Sequence, residues 1–386
     1  MRTTRVAAGG STHPVAAAGA REAAREAAGG LAGERPDLVF LFLSPDHLSD
    51  VDAAVAAVHE ELDPVRLLGC VADGIVAGER ELEDGPAAAV WAASLPGANV
   101  IPFHASAVEE DDELIVAGFP DAAAADLGIL VVDPFTFPVA PFLARLNEER
   151  PGFPIVGGIA SGGGMPGQQA MIVGDAIYEE GAVGVLLSNV PAVTIVSQGC
   201  APIGREAVVT RADENVVLEL AGESALERLR TDITGLAAHE QAMARSGILA
   251  GLVIDENKPE YGRGDYLMRG LMGVDETAGA IAIGELVRPG QTLRFHVRDA
   301  QTADEDLREA LATALADSRP AGALLFTCNG RGTNMFPGPH HDARRVREAL
   351  GDRSLAGFFC GGEIGPVGGR NFLHGFTATL AVFLRD

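Results

Sequence analysis

The sequence predicts an α/β protein of two domains, built from repeated strand-helix-strand units with mixed sheets. Short apolar runs, typical of strands buried on both faces, alternate with segments whose apolar residues recur at helical spacing. The same order of elements occurs three times, which indicates internal repetition. The chain of 386 residues is about two to three times as long as a typical domain, so two domains are expected.

The first unit follows a helix that is predicted for residues 14–28. Residues 38–43 contain no polar side chain and predict a buried strand. A helix is predicted next, with Ser49 or Asp50 as its N-cap, because the apolar residues after it form one stripe. The unit closes with two further apolar runs, at residues 67–70 and 87–93.

The second and third units repeat this order. The second has apolar runs at residues 128–132, 155–158, 170–173 and 182–187, and its helix is marked by Phe142, Leu143 and Leu146. The third has apolar runs at residues 323–327, 355–360 and 376–384, and a helix at residues 342–350. Each unit has a glycine-bearing turn, and we expect related surroundings for Gly69-Cys70, Gly157-Gly158 and Gly361-Gly362.

A differently patterned segment separates the second unit from the third. Two capping boxes, Ser224-x-x-Glu227 and Thr302-x-x-Glu305, predict helix starts. Candidate strands are at residues 193–197, 207–209, 216–220, 251–254, 266–272, 278–283 and 292–297. The change of pattern near Gly222 is the predicted domain boundary. It gives a helical lead-in of residues 1–29, a first domain of residues 30–222 and a second domain of residues 223–386.

The charge of the chain excludes several classes of partner. There are 29 basic and 54 acidic residues, which give a formal net charge of −25. Nucleic acids and anionic membranes need a basic face, so neither is an expected partner. No apolar run approaches the roughly 18 residues of a membrane-spanning helix, and the N-terminus lacks the apolar stretch of a signal peptide. We therefore expect a cytoplasmic protein with no membrane insertion.

The cysteines and histidines do not have metal-ligand spacing. Cys70, Cys200, Cys328 and Cys360 form no C-x-x-C pair, so buried thiols in a reducing compartment are expected. His340 and His341 are adjacent, and in an extended segment adjacent side chains point apart. The glycine turn at residues 161–167 has no Lys-Ser or Lys-Thr after it and is not a P-loop. We expect no cofactor and no metal.

The candidate site lies where two strands of the third unit end. One strand leads into Cys328, Asn329, Gly330, Arg331 and Gly332, and the other ends at Cys360 before Gly361, Gly362 and Glu363. In open α/β sheets ligands bind outside the carboxyl ends of strands, where glycine lets the backbone approach closely. The two glycine turns also contain one positive and one negative side chain, Arg331 and Glu363, which the turn conformation itself does not require. These residues therefore predict a binding cleft.

Several stretches resemble the FIST family. LFLSPDH and LLGCVADGIVAG are similar to the start of its N-terminal domain, and VSQGCAPIGREAVVTRADENVVLELAG is similar to the passage between its two domains. The C-terminal domain is matched by DYLMRGLMGVDETAGAIAIGELVRPGQTLRFHVRDA and FTCNGRGTNMF, and most specifically by GFFCGGEIGPVGGRNFLHGFTATL. The resemblance covers roughly residues 30–386.

The resemblance implies a FIST N-like domain at residues 30–222 and a FIST C-like domain at residues 223–386. It also implies a sensory module of intracellular signal transduction that binds small ligands, with amino acids as the proposed class. For an amino acid, Arg331 beside the Gly330 and Gly332 amides is the predicted carboxylate binder, and Glu363 is the predicted ammonium partner. Further candidates are Asn329, Arg370 and His374.

Three alternatives stay open. Arg331 and Glu363 could pair with each other, since pairing offsets the desolvation cost of both. Cys328 or Cys360, with His340, His341 or His374 as base, could make the protein a thiol-dependent hydrolase or transferase. The acidic chain could also be an adaptor that binds another signalling protein. The sequence leaves the oligomeric state open.

Overall fold

The computed structural model describes residues 3–110, 113–351 and 354–385. Its contacts divide the chain into two compact units. The first unit contains the residues up to Val196, Leu307–Leu373 and the residues from Thr377 onward, and the second contains Ser197–Asp306 and His374–Phe376. The second unit is therefore an insertion in the sequence of the first. The boundary predicted at Gly222 lies inside this insertion.

The first unit is built from three repeats. Repeat 1 consists of β1 (Arg5–Ser11), α1 (Ala16–Gly30), β2 (Leu38–Leu43), α2 (Val51–Leu62), β3 (Leu67–Val71), β4 (Ile75–Ala77), β5 (Arg80–Leu82) and β6 (Ala88–Ser94). Repeat 2 consists of β7 (Asn99–Glu110), β8 (Glu113–Ala117), β9 (Leu127–Val132), α3 (Val139–Glu149), β10 (Ile155–Ile159), β11 (Met171–Val173), β12 (Ala176–Tyr178) and β13 (Ala182–Ser188).

Repeat 3 is divided in the sequence. It begins with β14 (Ala192–Gln198). The second unit follows with β15 (Cys200–Asp213), β16 (Val216–Leu220), β17 (Glu223–Ser224), α4 (Ala225–Thr234), α5 (Ala238–Ser246), β18 (Ile248–Val253), β19 (Tyr266–Asp275), β20 (Ala280–Ile283) and β21 (Thr292–Arg298). Repeat 3 is completed by α6 (Ala300–Leu315), β22 (Pro320–Cys328), α7 (His341–Leu350), β23 (Ser354–Cys360), β24 (Glu363–Val367), β25 (Arg370–His374) and β26 (Thr377–Leu384).

Each sheet of the first unit combines the strands of one repeat with a hairpin from another. The strand orders are β1-β6-β2-β3-β11-β12, β25-β24-β10-β9-β13-β7-β8 and β14-β26-β22-β23-β4-β5. Repeat 1 thus receives the hairpin of repeat 2, repeat 2 that of repeat 3, and repeat 3 that of repeat 1. The pairs β2–β3, β9–β10 and β22–β23 are parallel, whereas the pairs with β6, β13 and β26 are antiparallel. The predicted α/β class with repeated units and mixed sheets is confirmed.

One glycine per repeat allows the parallel strands to approach closely. Gly69, Gly157 and Gly357 lie opposite Leu41, Leu130 and Leu325. A Cβ on these glycines would lie 1.9, 1.8 and 1.7 Å from the carbonyl oxygen of the opposing leucine. The prediction of related glycines is therefore right for Gly69 and Gly157. It is wrong for Gly361-Gly362, which follow the end of β23, because the equivalent in repeat 3 is Gly357.

The inner faces of the three sheets share one core. Phe42 and Trp91 of the first sheet, Val131 of the second, and Phe358 and Phe383 of the third belong to the same buried cluster. Helices α1 and α2 cover the outer face of the first sheet, α3 that of the second, and α6 and α7 that of the third. Burial on both faces is the physical reason that strands such as β2 contain no polar residue.

The second unit is a closed ring of six antiparallel strands. The order is β15-β21-β18-β19-β20-β16, and β16 pairs back with β15, while β17 extends from β16. Val209 and Phe295 of the strands pack with Leu226 and Leu229 of α4 and Ala244 of α5. Closure leaves few unpaired strand edges, which favours a stable small unit.

Most predicted helices and strands are present. The structure differs from the prediction at the start of α6 and in the N-terminal segment. Ser224 caps α4 as predicted, because its hydroxyl accepts the Glu227 N–H. Helix α6 begins before Thr302, because the Asp299 carboxylate accepts the Thr302 N–H at 2.8 Å and acts as the cap. The N-terminal segment contains strand β1 as well as the predicted helix, so it joins the first sheet rather than forming a helical lead-in. Across the described ranges, the helices lack the combination of length and apolar character that a membrane span requires.

Candidate functional site

The two strand ends of repeat 3 lie side by side. Cys328 is opposite Cys360 in the parallel pair β22–β23. The Asn329 N–H donates to the Cys360 carbonyl at 3.0 Å, and the Gly330 N–H donates to Cys328 Sγ at 3.4 Å. The turn of Gly361 and Gly362 follows directly after Cys360. The structure therefore brings together the cysteine, asparagine and glycine members of the predicted site.

Two side chains that sequence reasoning missed meet at the same place. Asp73 and Ser161 stand, in repeats 1 and 2, at the position that Gly361 has in repeat 3 relative to the repeat glycine. The Ser161 hydroxyl accepts the Asp73 N–H at 2.9 Å and donates to the Phe359 carbonyl at 2.6 Å. Asn329 Nδ2 donates to Asp73 Oδ2 at 3.1 Å. The equivalence of Gly69, Gly157 and Gly357 is the sequence signal that would have revealed them.

Arg331 is fully buried and pairs with an acid that the sequence analysis did not single out. Its Nε and Nη2 donate to Asp342 Oδ2 and Oδ1 at 2.7 and 2.9 Å, and its guanidinium lies 5.4 Å from the centroid of the Phe336 ring. Burial favours the neutral forms of both groups, yet Asp342 raises the pKa of Arg331. Arg331 in turn holds the pKa of Asp342 well below its usual range. A ligand carboxylate would have to displace Asp342 from this bidentate pair.

Glu363 is also fully buried, and the N–H and O–H groups that donate to it both belong to Thr377. Its Oε2 accepts the Thr377 N–H at 3.1 Å and the Thr377 hydroxyl at 2.8 Å. Its Oε1 is buried and has no N–H or O–H partner among the described residues. Burial raises the pKa of Glu363 to about 8, although Thr377 and Cys328 act in the opposite direction. A neutral, enclosed acid is a poor partner for a ligand ammonium group.

The remaining predicted residues have structural or separate positions. Gly332 has a φ of +53°, and a Cβ there would lie 2.6 Å from Glu83 Oε2, so the turn requires glycine. Arg370 is exposed on β25 of the hairpin β24–β25. His374 is buried and belongs to the second unit.

The cysteines fill space in the interior. All four are buried and none forms a disulfide. Burial raises the pKa of the Cys70 and Cys360 thiols, which favours the protonated form that is a poor nucleophile. Cys360 fits because Gly158 lies beside it, where a Cβ would come within 2.3 Å of Cys360 Sγ. In the described part of the chain, no three His, Cys, Asp or Glu residues are grouped to hold a metal ion.

The second unit contains a cavity of about 80 Å³. Its lining consists of Gln198, Cys200, Pro202, Tyr261, Gly262, Arg263, Tyr266, Met268, Arg294, His296 and Asp306. The Tyr261 and Tyr266 rings have centroids 6.1 Å apart at 68°, and the Tyr266 and His296 rings have centroids 4.9 Å apart at 64°. Three aromatic rings at steep angles to one another thus form part of the wall.

Two buried side chains present hydrogen-bond acceptors in this cavity. His296 Nδ1 lies 3.0 Å from the Arg294 carbonyl, and because a carbonyl can only accept, Nδ1 carries the proton and Nε2 is an acceptor. Burial lowers the pKa of His296 to about 4, so the ring is neutral at pH 7. Gln198 Nε2 donates to the Tyr266 carbonyl at 2.7 Å, which leaves Oε1 as its acceptor. Neither His296 Nε2 nor Gln198 Oε1 has a partner among the residues that the structure describes.

The cationic groups of the lining are already paired. Arg294 Nη1 lies 3.0 Å from Glu206 Oε1, and Arg263 Nη2 lies 3.3 Å from Glu305 Oε2. Asp306 adds a carboxylate to the same lining. Arg294 Nε is nevertheless buried without a hydrogen-bond partner among the described residues, so the lining contains one unused N–H donor beside the two acceptors.

Sequence reasoning missed this cavity because its residues are spread over residues 198–306 on several strands. A signal was nevertheless present in two of those strands. Tyr266 and Met268 on β19, and Arg294 and His296 on β21, are two positions apart and therefore lie on one face of their strand. Tyrosine, arginine and histidine on a partly buried strand face indicate more than an apolar core.

Comparisons with known proteins identify the family. The model of the FIST N domain matches residues 37–223, and that of the FIST C domain matches residues 225–366. The uncharacterized protein Rv0628c of Mycobacterium tuberculosis is 45% identical over 383 residues, 98% of this chain and 100% of the relative. The uncharacterized protein Mb0898c of Mycobacterium bovis is 44% identical over 385 residues, 99% of each chain.

A solved structure was also matched. The match is to the crystal structure of phosphoribosylformylglycinamidine synthase II from Thermotoga maritima. The superposition covers 99% of this chain and 72% of the synthase chain, with a TM-score of 0.23 and 10% sequence identity. A likeness of this size carries no argument about fold or function. The two domain matches and the full-length relatives establish the family. The chain belongs to the FIST family, whose domains are sensory domains of signal transduction.

Proposed function

We propose that this protein is a small-ligand-binding sensory module for amino acids or similar small metabolites, and that the ligand occupies the cavity of the second unit. The module acts in the cytoplasm, and a signalling protein that recognises the liganded state is its partner. The protein performs binding and not turnover.

One observation carries the proposal: aromatic walls and unused acceptors occur together in one cavity. Ligand sites in proteins are mostly apolar hollows with a few well-placed polar groups that fix orientation. Tyr261 and Tyr266 supply the apolar walls, and Gln198 Oε1 and His296 Nε2 supply the polar groups. The volume of about 80 Å³ compares with roughly 10–15 Å³ for one water, so a small metabolite fits.

The strand ends of repeat 3 are the second possible location for the ligand. Asn329, Gly330 and Gly361 are not fully buried there, and Asp73 adds an exposed carboxylate. The two charged residues that sequence reasoning relied on are less suitable, because Arg331 is held by Asp342 and Glu363 is enclosed. This location therefore has less support than the cavity.

Thiol catalysis also has less support. A nucleophilic cysteine needs an accessible thiolate, whereas Cys360 is fully buried with a raised pKa and Cys328 is only 8% exposed. The hydrolase or transferase alternative would require one of these two thiols to become accessible and deprotonated.

A thermal-shift screen of the full chain against amino acids and small metabolites tests the proposal. A ligand that binds only the native state stabilises it by about 2.7 kcal/mol when the ligand concentration is 100 times Kd. The melting temperature rises accordingly. We expect at least one small amino acid to do so. The proposal fails if none of the compounds shifts the transition at millimolar concentration.

Two variants then distinguish the locations. His296→Leu removes an acceptor from the cavity, and Asn329→Ala changes the strand ends of the first unit. We expect the ligand-induced shift to be lost in the first variant and kept in the second, after each is referred to its own unliganded melting temperature. The opposite pattern would move the binding site to the strand ends.

A further inference from the structure

We infer that the cavity of the second unit recognises its ligand through an ammonium group, so that its ligand class is small primary amines, with or without a carboxylate. The inference rests on the proposed function and adds which end of the ligand is recognised.

The unused hydrogen-bonding groups of Gln198 and His296 point to a ligand that donates. Gln198 Oε1 and His296 Nε2 accept and cannot donate in the tautomer that the Arg294 carbonyl fixes. A ligand that satisfies both must bring two N–H or O–H donors into the cavity. A primary ammonium has three N–H groups, whereas a carboxylate has none.

His296 is neutral in this environment. The residue is 2% exposed, and its pKa is lowered mainly by burial, with a smaller contribution from the charge of Arg294. The histidine therefore remains an acceptor throughout the neutral pH range. A protonated ring would instead have favoured an anionic ligand.

The tyrosines of the lining have their hydroxyl groups occupied. The Tyr266 hydroxyl donates to Glu206 at 3.0 Å and the Tyr261 hydroxyl to Glu256 at 3.3 Å, so both hydroxyls already have acceptors. The rings then contribute mainly their apolar surfaces to the lining. Aromatic ring faces attract cations, and several rings at steep angles are a recurrent way of binding an ammonium group.

The charges around the cavity favour a cation only when the partners behind the lining are counted. The lining itself contains Arg263, Arg294 and Asp306, and Arg294 pairs with Glu206 while Arg263 pairs with Glu305. Together these are three carboxylates and two guanidinium groups. A ligand carboxylate would compete with acids that are already in place.

Size narrows the class further. The cavity of about 80 Å³ corresponds to roughly five to eight waters. Compounds from ethylamine to isobutylamine, and the amino acids alanine and valine, are of this size.

The test is a calorimetric titration of the full chain with two matched sets: alanine, ethylamine and propionate, and valine, isobutylamine and isovalerate. Within a set, the amine keeps only the ammonium end and the acid keeps only the carboxylate end. We expect the amine to bind within about threefold of the amino acid, and the acid to bind roughly 10- to 100-fold more weakly, the range for losing a hydrogen bond to a charged group.

Each other outcome is informative. If the acid binds as well as the amino acid and the amine does not, or if only the amino acid binds, the ammonium inference is overturned while the proposed function stands. If no member of either set binds, and the wider thermal-shift screen is also negative, the proposed function itself fails. If the screen finds only larger ligands, the size argument and this inference fail together.

A variant pair excludes unspecific effects. His296→Leu removes one acceptor and is expected to weaken ethylamine binding roughly 10-fold or more. Arg344→Ala, at an exposed position of α7 in the first unit, is expected to leave it within about twofold. Equal affinities in wild type and His296→Leu would overturn the inference, provided that the variant retains its cooperative unfolding transition.

Discussion

At the scale of single residues, Arg331 illustrates how a motif can suggest the wrong partner. Its place between Gly330 and Gly332 is typical of a ligand loop, yet it is 0% exposed and bound to Asp342. The acid lies eleven positions later, in the first turn of α7, and no local pattern links the two. Only the fold, which brings the N-terminus of α7 back to the end of β22, makes this pair.

Breaking this pair should be strongly destabilising. We expect Arg331→Ala to lower the free energy of unfolding by about 3–5 kcal/mol, because the buried Asp342 carboxylate loses its bidentate guanidinium partner and keeps, among the described residues, only Thr327 and His341. Urea denaturation measures the change. The double substitution Arg331→Met with Asp342→Leu should recover most of the loss, since no unpaired charge remains.

Arg344→Ala, on the exposed side of the same helix, is the matched control and should change stability by no more than about 0.5 kcal/mol. A loss of less than about 1 kcal/mol for Arg331→Ala would mean that the ion pair is not a structural element.

Glu363 should make stability depend on pH. Burial raises its pKa from 4.5 to about 8 in the folded chain, so the folded state holds this proton more tightly than the unfolded state. The stabilisation is complete below pH 4.5 and is lost as the pH rises towards about 8. In Glu363→Gln the slope of unfolding free energy against pH should become less negative in this window, by up to about 1.4 kcal/mol per pH unit.

Burial also raises the pKa of Glu81, to about 7, and this makes the slope of unfolding free energy against pH more negative in wild type and in Glu363→Gln alike. The difference between the two slopes therefore isolates the contribution of Glu363. Denaturant titrations at a series of pH values provide the measurement. Superimposable slopes for wild type and Glu363→Gln would contradict a raised pKa.

At the scale of elements, the apolar runs in the sequence were sufficient to predict the buried strands. The repeat glycines could not all be predicted in the same way. β2, β9, β22 and β23 appear where uninterrupted apolar residues predict them, because burial on both faces dictates their composition. β1 was missed because its sequence, RVAAGGS, consists mainly of small residues with a half-buried pattern. The glycine of repeat 3 was misassigned because its requirement comes from the neighbouring strand, which the local sequence does not show.

Substituting a repeat glycine should be costly. In Gly357→Ala the new Cβ would lie 1.7 Å from the Leu325 carbonyl oxygen, so the two strands must separate. We expect a loss of at least about 1–3 kcal/mol, the usual cost of overpacking a buried position. The control is Gly338→Ala, since nothing lies within 4 Å of a Cβ at that glycine.

Urea denaturation of the two glycine variants decides the matter. Equal stability of Gly357→Ala and Gly338→Ala would show that the close approach of β22 and β23 is not required.

At the scale of the whole molecule, the exchange of hairpins links the three repeats. The hairpin β4–β5 completes the sheet of repeat 3, β11–β12 that of repeat 1, and β24–β25 that of repeat 2. Such pairing joins segments that are far apart in the sequence, and for this reason it could not be predicted from local patterns. The closed ring of the second unit was missed for the same reason, although its individual strands were predicted.

This linkage has a measurable consequence in native-state hydrogen exchange. The slowest amides of β2, β9 and β22 should open with one common free energy, because no repeat can unfold while its hairpin completes another sheet. Mass spectrometry of exchanged peptides provides the values. A difference of more than about 1 kcal/mol between repeats would mean that they unfold independently.

The central claim, that the cavity of the second unit holds an ammonium ligand, is tested most directly by a crystal structure of the chain with ethylamine or alanine. We expect density beside the Tyr261 and Tyr266 rings, with the ligand nitrogen about 2.7–3.2 Å from Gln198 Oε1 and His296 Nε2. A ligand bound at Asn329 and Gly361 in the first unit, or one whose carboxylate faces His296, would contradict the account.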